Sequence, residues 1–128
     1  MKMIMAMIRM TKINATKEAL AAIGLPSFMA SGKVQGRGRG AGYGPRYKEM
    51  VNNPDLAEEL KELAGKEPRL KMKRMITLVV ANDKKDLAVE TIIKTNQTGN
   101  SGDGKVFVLP VADAIQVRTG DNGDKVLD

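Results

Sequence analysis

The sequence predicts an α+β fold of the split βαβ, ferredoxin-like kind, in the order βαββαβ, with a long insertion between strands 2 and 3 and a short C-terminal strand. Three observations predict it. Two apolar runs, "MKMIMAMIR" and "MITLVV", are each followed by a capped amphipathic helix pattern. Each helix pattern is followed by a further strand-like run. Between the two halves lies a Gly- and Pro-containing stretch, about 37–71, in which neither period continues. The whole of 1–128 reads as a single domain carrying that insertion.

The elements follow in order. The unpunctuated run at 2–9 reads as a buried strand. A helix is expected at 15–23, with Asn14 as N-cap, Ala15, Ala19 and Ile23 as the inner stripe with Leu20 beside it, and Gly24 at C′. "FMASGKVQG", 28–36, reads as the second strand, and the run Ile76 to Val80 ends the third. Asn82 or Asp83 is the expected cap of the next helix, with Ala88/Ile92 and Val89/Ile93 as i,i+4 pairs on its inner face. "KVFVLPV", 105–111, is the fourth strand, and "AIQVRTG", 114–120, a short last one.

Within the insertion, the glycines and proline of "RGRGAGYGPRY" exclude a helix or a central strand. "NNPDLAEELKELAG" then predicts a helix: Asn53 caps it, Pro54 sits at N1, Asp55 and Glu58 lie in the first turn and Gly65 ends it. Leu56, Leu60 and Leu63 form one apolar stripe. An isolated helix this short is marginal in water, so the stripe must dock, on this domain or on a partner.

Composition narrows the chemistry. A chain of 128 residues can bury a real core, and with 3% aromatics, no Trp and nine Met that core is aliphatic. The net charge of +6 favours anionic partners. The absence of Cys and His removes most zinc sites, the commonest general base and the serine triad. The N-terminal run is too short for a convincing signal peptide, and no stretch is apolar enough for a membrane span. These readings fit a cytoplasmic protein.

"TGNSGDGK", 98–105, has the Walker spacing G-x-x-x-x-G-K. A P-loop, however, follows a strand and opens a helix, and carries Ser or Thr after its Lys. Here the order is reversed and Val106 follows, so the Walker reading fails. The local chemistry still suits an anion: Gly99, Gly102 and Gly104 let backbone N–H groups converge as a nest, and Lys105 adds a charge. The competing reading is a Gly-rich helix-to-strand turn with a solvated Lys. No EF-hand pattern is met.

"TIIKTNQTGNSGDGKVFVLPVADAIQVRTGD", together with "VQGRGRG" and the N-terminal strand and helix, resembles the nitrogen-regulatory PII signal-transduction family. The resemblance implies a non-enzymatic regulator: a trimer holding ATP or ADP in clefts between subunits, with a long T-loop projecting from each. It places the nucleotide on Gly36, Gly38, Arg39, Val79, Gly102, Asp103, Gly104, Lys105 and Arg118, with Val79 meeting adenine through its backbone. It matches Lys73 to the lysine that pairs with 2-oxoglutarate. Departures from the family pattern are Gly40 for the T-loop glutamine that completes the magnesium site, Gln116 for a phosphate arginine, Thr77 for a strand glutamate and Ala30 for a threonine near the base. No residue here is assigned to magnesium. The modified T-loop tyrosine has no counterpart in Tyr43 or Tyr47.

The long insertion and Gly40 are most similar to the second of the paired nitrogenase-associated PII-like proteins of methanogens. That likeness implies a homotrimer core or a mixed assembly with a paired subunit, and dinitrogenase as the target. Arg37, Arg46, Lys48, Leu56, Leu60 and Leu63 are the candidate partner contacts. The alternatives are a PII-type regulator of an ammonium transporter or biosynthetic enzyme and, more distantly, an RNA-binding module suggested by "RGRGAGYG". The sheet carries no aromatic RNA-binding signature, and neither nucleic acid nor membrane is an expected partner.

Overall fold

The computed structural model describes residues 1–36, 55 and 70–128. It divides into two compact units, Met1–Val34 with Lys73–Asp128, and Gln35–Met72. In the first unit, β1 (Lys2–Arg9), α1 (Ile13–Ala22), β2 (Met29–Gly36), β3 (Lys71–Val80), α2 (Lys85–Asn96) and β4 (Lys105–Pro110) follow the expected order. Strands β2 and β3 run across the division, so Gln35, Gly36, Lys71 and Met72 belong to the second unit. The sheet order is β2-β3-β1-β4, the ferredoxin-like arrangement.

The central strand β1 pairs antiparallel with β3 on one side and β4 on the other. Its run of apolar residues is buried on alternate positions only. Ile4, Ala6 and Ile8 point to the helices and are at most 2% exposed. Opposite them on β3, Ile76, Leu78 and Val80 complete the layer, and Leu20, Leu25, Ala88 and Ile92 cover it. Met3, Met5 and Met7 take the other face, each only partly buried. The register sets Met3 between Val79 and Leu109, and Met5 between Thr77 and Phe107. That second face is apolar and open: Phe107 is 46% exposed.

Both helices start differently from expectation. A 3₁₀ turn precedes each, Met10–Lys12 before α1 and Asn82–Lys84 before α2, and neither helix has a side-chain N-cap. Asn14 lies inside α1, while Asn82 and Asp83 lie in the 3₁₀ turn. The inner face of α1 is also rotated from the predicted stripe. Thr16 and Leu20 are buried and Ala15 is exposed. Thr16 can go inside because its hydroxyl donates to the Lys12 carbonyl (2.8 Å) and accepts from Asn96 Nδ2 (3.0 Å). On α2, Ala88 and Ile92 face inward as expected and are joined by Asn96, but Ile93 is 44% exposed.

The end of α1 follows the expectation closely. Gly24 has φ +85°, and Leu25 N–H reaches the Leu20 carbonyl (2.9 Å) while Gly24 N–H reaches Ala21 (3.0 Å). This is a Schellman cap, with buried Leu20 and Leu25 as its apolar contact. The predicted strand at 114–120 does not form. Among the described residues one bridge, Ile115 to Asn122, joins that stretch, because the chain turns back at 117–119 before a ladder can grow.

In the second unit Asp55 is helical and exposed. The rest of the predicted 53–65 helix, including Leu56, Leu60 and Leu63, lies outside the described residues. Among the described residues no helix is long and apolar enough to cross a membrane, and no cluster of three or more carboxylates could hold a metal ion.

Candidate functional site

The glycine-rich segment between α2 and β4 is built around one carboxylate. After Asn96 ends α2, Gln97 turns to extended backbone, its N–H still bonded to the Ile93 carbonyl (2.8 Å). The chain then wraps Asp103. Thr98 N–H (2.8 Å) and Gly99 N–H (3.0 Å) donate to Oδ2, and the Thr98 hydroxyl (2.5 Å) and Arg9 Nη1 (2.5 Å) donate to Oδ1. These four bonds fill the acceptor capacity of a carboxylate. The Thr98 hydroxyl, with Arg9 and the two amides behind it, holds the Asp103 carboxyl well below the usual carboxylate range.

The turn needs three left-handed residues. Gly99, Gly102 and Gly104 have φ of +84°, +97° and +112°, and among the described residues no other residue type has positive φ. Gly104 is also a close approach: a β-carbon there would stand 1.9 Å from the Met7 carbonyl oxygen. Lys105 follows directly as the first residue of β4, paired with Met7, and is exposed. The Thr98 and Gly99 amides point inward to Asp103, so any anion would meet the loop from its Gly102–Lys105 side.

Two cations on the sheet fasten the loop from below. Arg9 ends β1 and Lys73 lies directly opposite it on β3. Like charges facing each other across strands are unfavourable, so the pair needs acceptors. The loop supplies them: Arg9 Nη2 donates to the Ser101 carbonyl (3.1 Å) and Lys73 Nζ donates to the Gly102 carbonyl. A β-carbon on Gly102 would sit 3.3 Å from Arg9 Nη2 and 3.5 Å from Lys73 Nζ. The structure thus brings Gly102, Asp103, Gly104, Lys105 and Lys73 together, and adds Arg9 and Thr98, which sequence reasoning did not select. In the sequence Arg9 closes the apolar run at 2–9. The signal that could have found it is its odd position on β1, which puts it on the face away from the core.

Val79 lies apart from this loop. It pairs with Met3 while Lys105 pairs with Met7, four residues along β1 or about 13 Å. Val79 lines a separate open hollow of about 250 Å³ with Thr77, Ser27, Phe28, Met29 and the tail Val126–Asp128. The tail is pinned there. Asp128 Oδ2 accepts from Ser27 N–H (2.6 Å), Oδ1 from the Ser27 hydroxyl (2.7 Å), and Lys84 Nζ reaches the Asp128 carbonyl (2.7 Å).

Arg118 is displayed on a turn with its own internal bonds. Gln116 N–H meets the Asp121 carbonyl (2.8 Å), Gly120 N–H the Gln116 carbonyl (2.8 Å), and the Thr119 hydroxyl the Gln116 side chain (2.9 Å). Gln116, where the family pattern has an arginine, is therefore a brace of the turn. Asp113 anchors the base of the turn. Asn122 Nδ2 and the Ala114 and Gly123 amides bond its carboxylate and lower its pKa, Asn122 contributing most. Gly36 ends β2. Arg37, Gly38, Arg39, Gly40, Arg46 and Lys48 lie outside the described residues, as do Leu56, Leu60 and Leu63.

Comparison with known proteins places this geometry in context. The family model for nitrogen regulatory protein P-II matches residues 1–121. A "nifHD region GlnB-like protein 2" of nitrogen fixation from Methanobacterium ivanovii is 44% identical over 127 residues, covering 99% of each chain. Its namesake from Methanothermobacter marburgensis is 40% identical over 99% of this chain and all of its own. Among solved structures, Arabidopsis thaliana PII bound to citrate superposes with a TM-score of 0.69 at 31% identity, over 97% of this chain and 89% of that one.

Proposed function

We propose a function from one premise: the chain belongs to the nitrogen regulatory protein P-II family, and is of the nifHD-region GlnB-like type. It is a regulatory protein of nitrogen metabolism. Our reading is that it senses ATP and ADP, together with 2-oxoglutarate, and switches nitrogenase off by binding dinitrogenase through the insertion at 37–71. The observation that carries the nucleotide part is the 98–105 loop. Three left-handed glycines, an internally neutralised Asp103 and the adjacent Lys105 and Lys73 make a cationic cradle of the right chemistry for phosphate. The citrate bound by the Arabidopsis relative supports an anion-accepting surface in this fold.

The base would occupy the hollow beside Thr77 and Val79. That hollow and the glycine loop lie at opposite ends of the strands of one sheet, flanking β1 on different sides. A cleft using both is completed most simply by two copies, the hollow of one facing the loop of the next, with Arg118 reaching the phosphates from its exposed turn. The open face around Met3, Met5, Phe107 and Leu109 supports such an assembly, whether of this chain alone as a trimer or mixed with a paired subunit. Gly36, Gly38 and Arg39 complete the set of residues that the family resemblance assigns to the nucleotide.

Lys73 is the residue proposed for 2-oxoglutarate. It already donates to the Gly102 carbonyl, so a carboxylate arriving there competes with the loop. Effector binding would thereby shift the population of loop arrangements, and only one arrangement fits the target. The nifHD-region names of the relatives support nitrogenase as that target.

Titration calorimetry tests the reading. ATP, ADP and ATP with 2-oxoglutarate are added to this chain alone and with a paired subunit. Lys105→Ala should weaken ATP at least about tenfold, the scale of one charge-assisted contact. Equal binding by the variant and the wild type would remove the site assignment. Deleting 43–66 should abolish nitrogenase inhibition; unchanged inhibition would remove the insertion from the mechanism.

A further inference from the structure

A carboxylate in a phosphate cradle poses a problem. Asp103 sits between Gly102 and Gly104, the residues whose backbone would face the phosphates, and its negative charge repels them. Its pairing shows how the fold could resolve this. The Arg9 guanidinium, delivered from the end of β1 and 94 residues distant in sequence, meets Asp103 Oδ1 at 2.5 Å and spans to the Ser101 carbonyl with its other nitrogen. Both side chains are about three-quarters covered, 28% and 23% exposed, so the pair is partly shielded from solvent. Arg9 also faces Lys73 across the strands, a like-charge opposition that the Ser101 and Gly102 carbonyls and the Asp103 carboxylate offset.

We infer that Arg9 is a positioning residue of the phosphate cradle: it cancels the Asp103 charge and fixes Ser101 and Asp103 so that loop 98–105 can receive polyphosphate. This rests on the nucleotide reading above and adds to it a residue outside the loop. Arginine suits the task because its planar fork can reach a carboxylate and a carbonyl at once, whereas lysine offers a single point charge. A purely structural ion pair would make a different prediction. Its loss would loosen the domain and weaken every ligand alike. A charge-cancelling role makes the loss scale with the number of phosphates on the ligand.

The experiment measures affinities of wild type, Arg9→Gln and Arg9→Lys for ATP, ADP and adenosine. Arg9→Gln should weaken ATP about 10- to 100-fold, the scale of a charge-assisted contact, weaken ADP less and leave adenosine unchanged. Arg9→Lys should fall between wild type and Arg9→Gln for ATP, and it decides the matter if Arg9→Gln does not fold. ATP binding equal to wild type in the variants, or equal losses for ATP and adenosine, overturns the inference and leaves the nucleotide reading standing. No ATP binding by the wild type in any assembly overturns both.

Discussion

The Met7 carbonyl oxygen occupies the space a side chain at residue 104 would need: a β-carbon on Gly104 would stand 1.9 Å from it. The φ of +112° at Gly104 adds a backbone cost for any L-residue. β4 can start where it does, paired with Met7 through Lys105, because this residue is glycine. Gly104→Ala should therefore destabilise the protein by about 3 kcal/mol or more, combining overpacking with left-handed strain. Gly99 is the control. Its φ is +84° but none of the described residues lies within 4 Å of its β-carbon position, so Gly99→Ala should cost only about 1 kcal/mol. Urea denaturation of both variants measures the difference, and equal costs would contradict the close approach.

The pH behaviour of the loop follows from Asp103. The Thr98 hydroxyl, Arg9 and two amides depress its pKa, so the folded loop favours the ionised form. A depressed carboxylate contributes stability that is fully present above its unfolded value, about 3.9, and lost only as the pH falls through the lower folded value. The Thr98 and Gly99 amide resonances should therefore stay unchanged from pH 7 down to about the unfolded value and beyond. A loop transition centred near the ordinary aspartate value would show that the four bonds to Asp103 do not hold in solution.

How much of this was legible in sequence depended on whether the signal was local. The end of α1 was readable because Gly24 follows the helical pattern directly, and the Leu20/Leu25 contact that completes its Schellman cap lies within six residues. The β1 and β3 runs were readable because apolar β-formers announce themselves. The rotation of α1 was not, since burying Thr16 depends on Asn96, a residue 80 positions away. Arg9 was missed for the same reason, its partners being at 101 and 103. The glycine loop is legible from its glycines, Lys105 and the family resemblance, but the work of its aspartate appears only once the fold brings β1 beneath it.

The Thr16–Asn96 pair ties α1 to α2 inside the core and is separable from the nucleotide chemistry. Thr16 is fully buried and Asn96 is 5% exposed; Asn96 Nδ2 also bonds the Ile92 carbonyl (2.9 Å), while its Oδ1 has no partner among the described residues. Thr16→Val removes one acceptor and should cost about 1–3 kcal/mol, the range for stranding a buried donor. Adding Asn96→Leu removes the stranded group, so the double variant should be more stable than the sum of single effects by at least about 0.5 kcal/mol. Denaturation midpoints of the four proteins complete the cycle. Strict additivity would mean that the two side chains do not interact.

The final prediction separates the two halves of the proposed cleft. Thr77 is 9% exposed and lines the roughly 250 Å³ hollow with Val79, whereas Lys105 begins β4 beside the glycine loop. If the hollow takes the base, Thr77→Trp fills it and should weaken ATP and adenosine by the same factor, about tenfold or more. Lys105→Ala removes charge from the phosphate end only, so it should weaken ATP by a similar factor and leave adenosine unchanged. The two variants thus have different signatures with the same pair of ligands. Should Thr77→Trp bind adenosine as the wild type does, the base lies elsewhere and the hollow belongs to the tail that Ser27 and Asp128 pin across it.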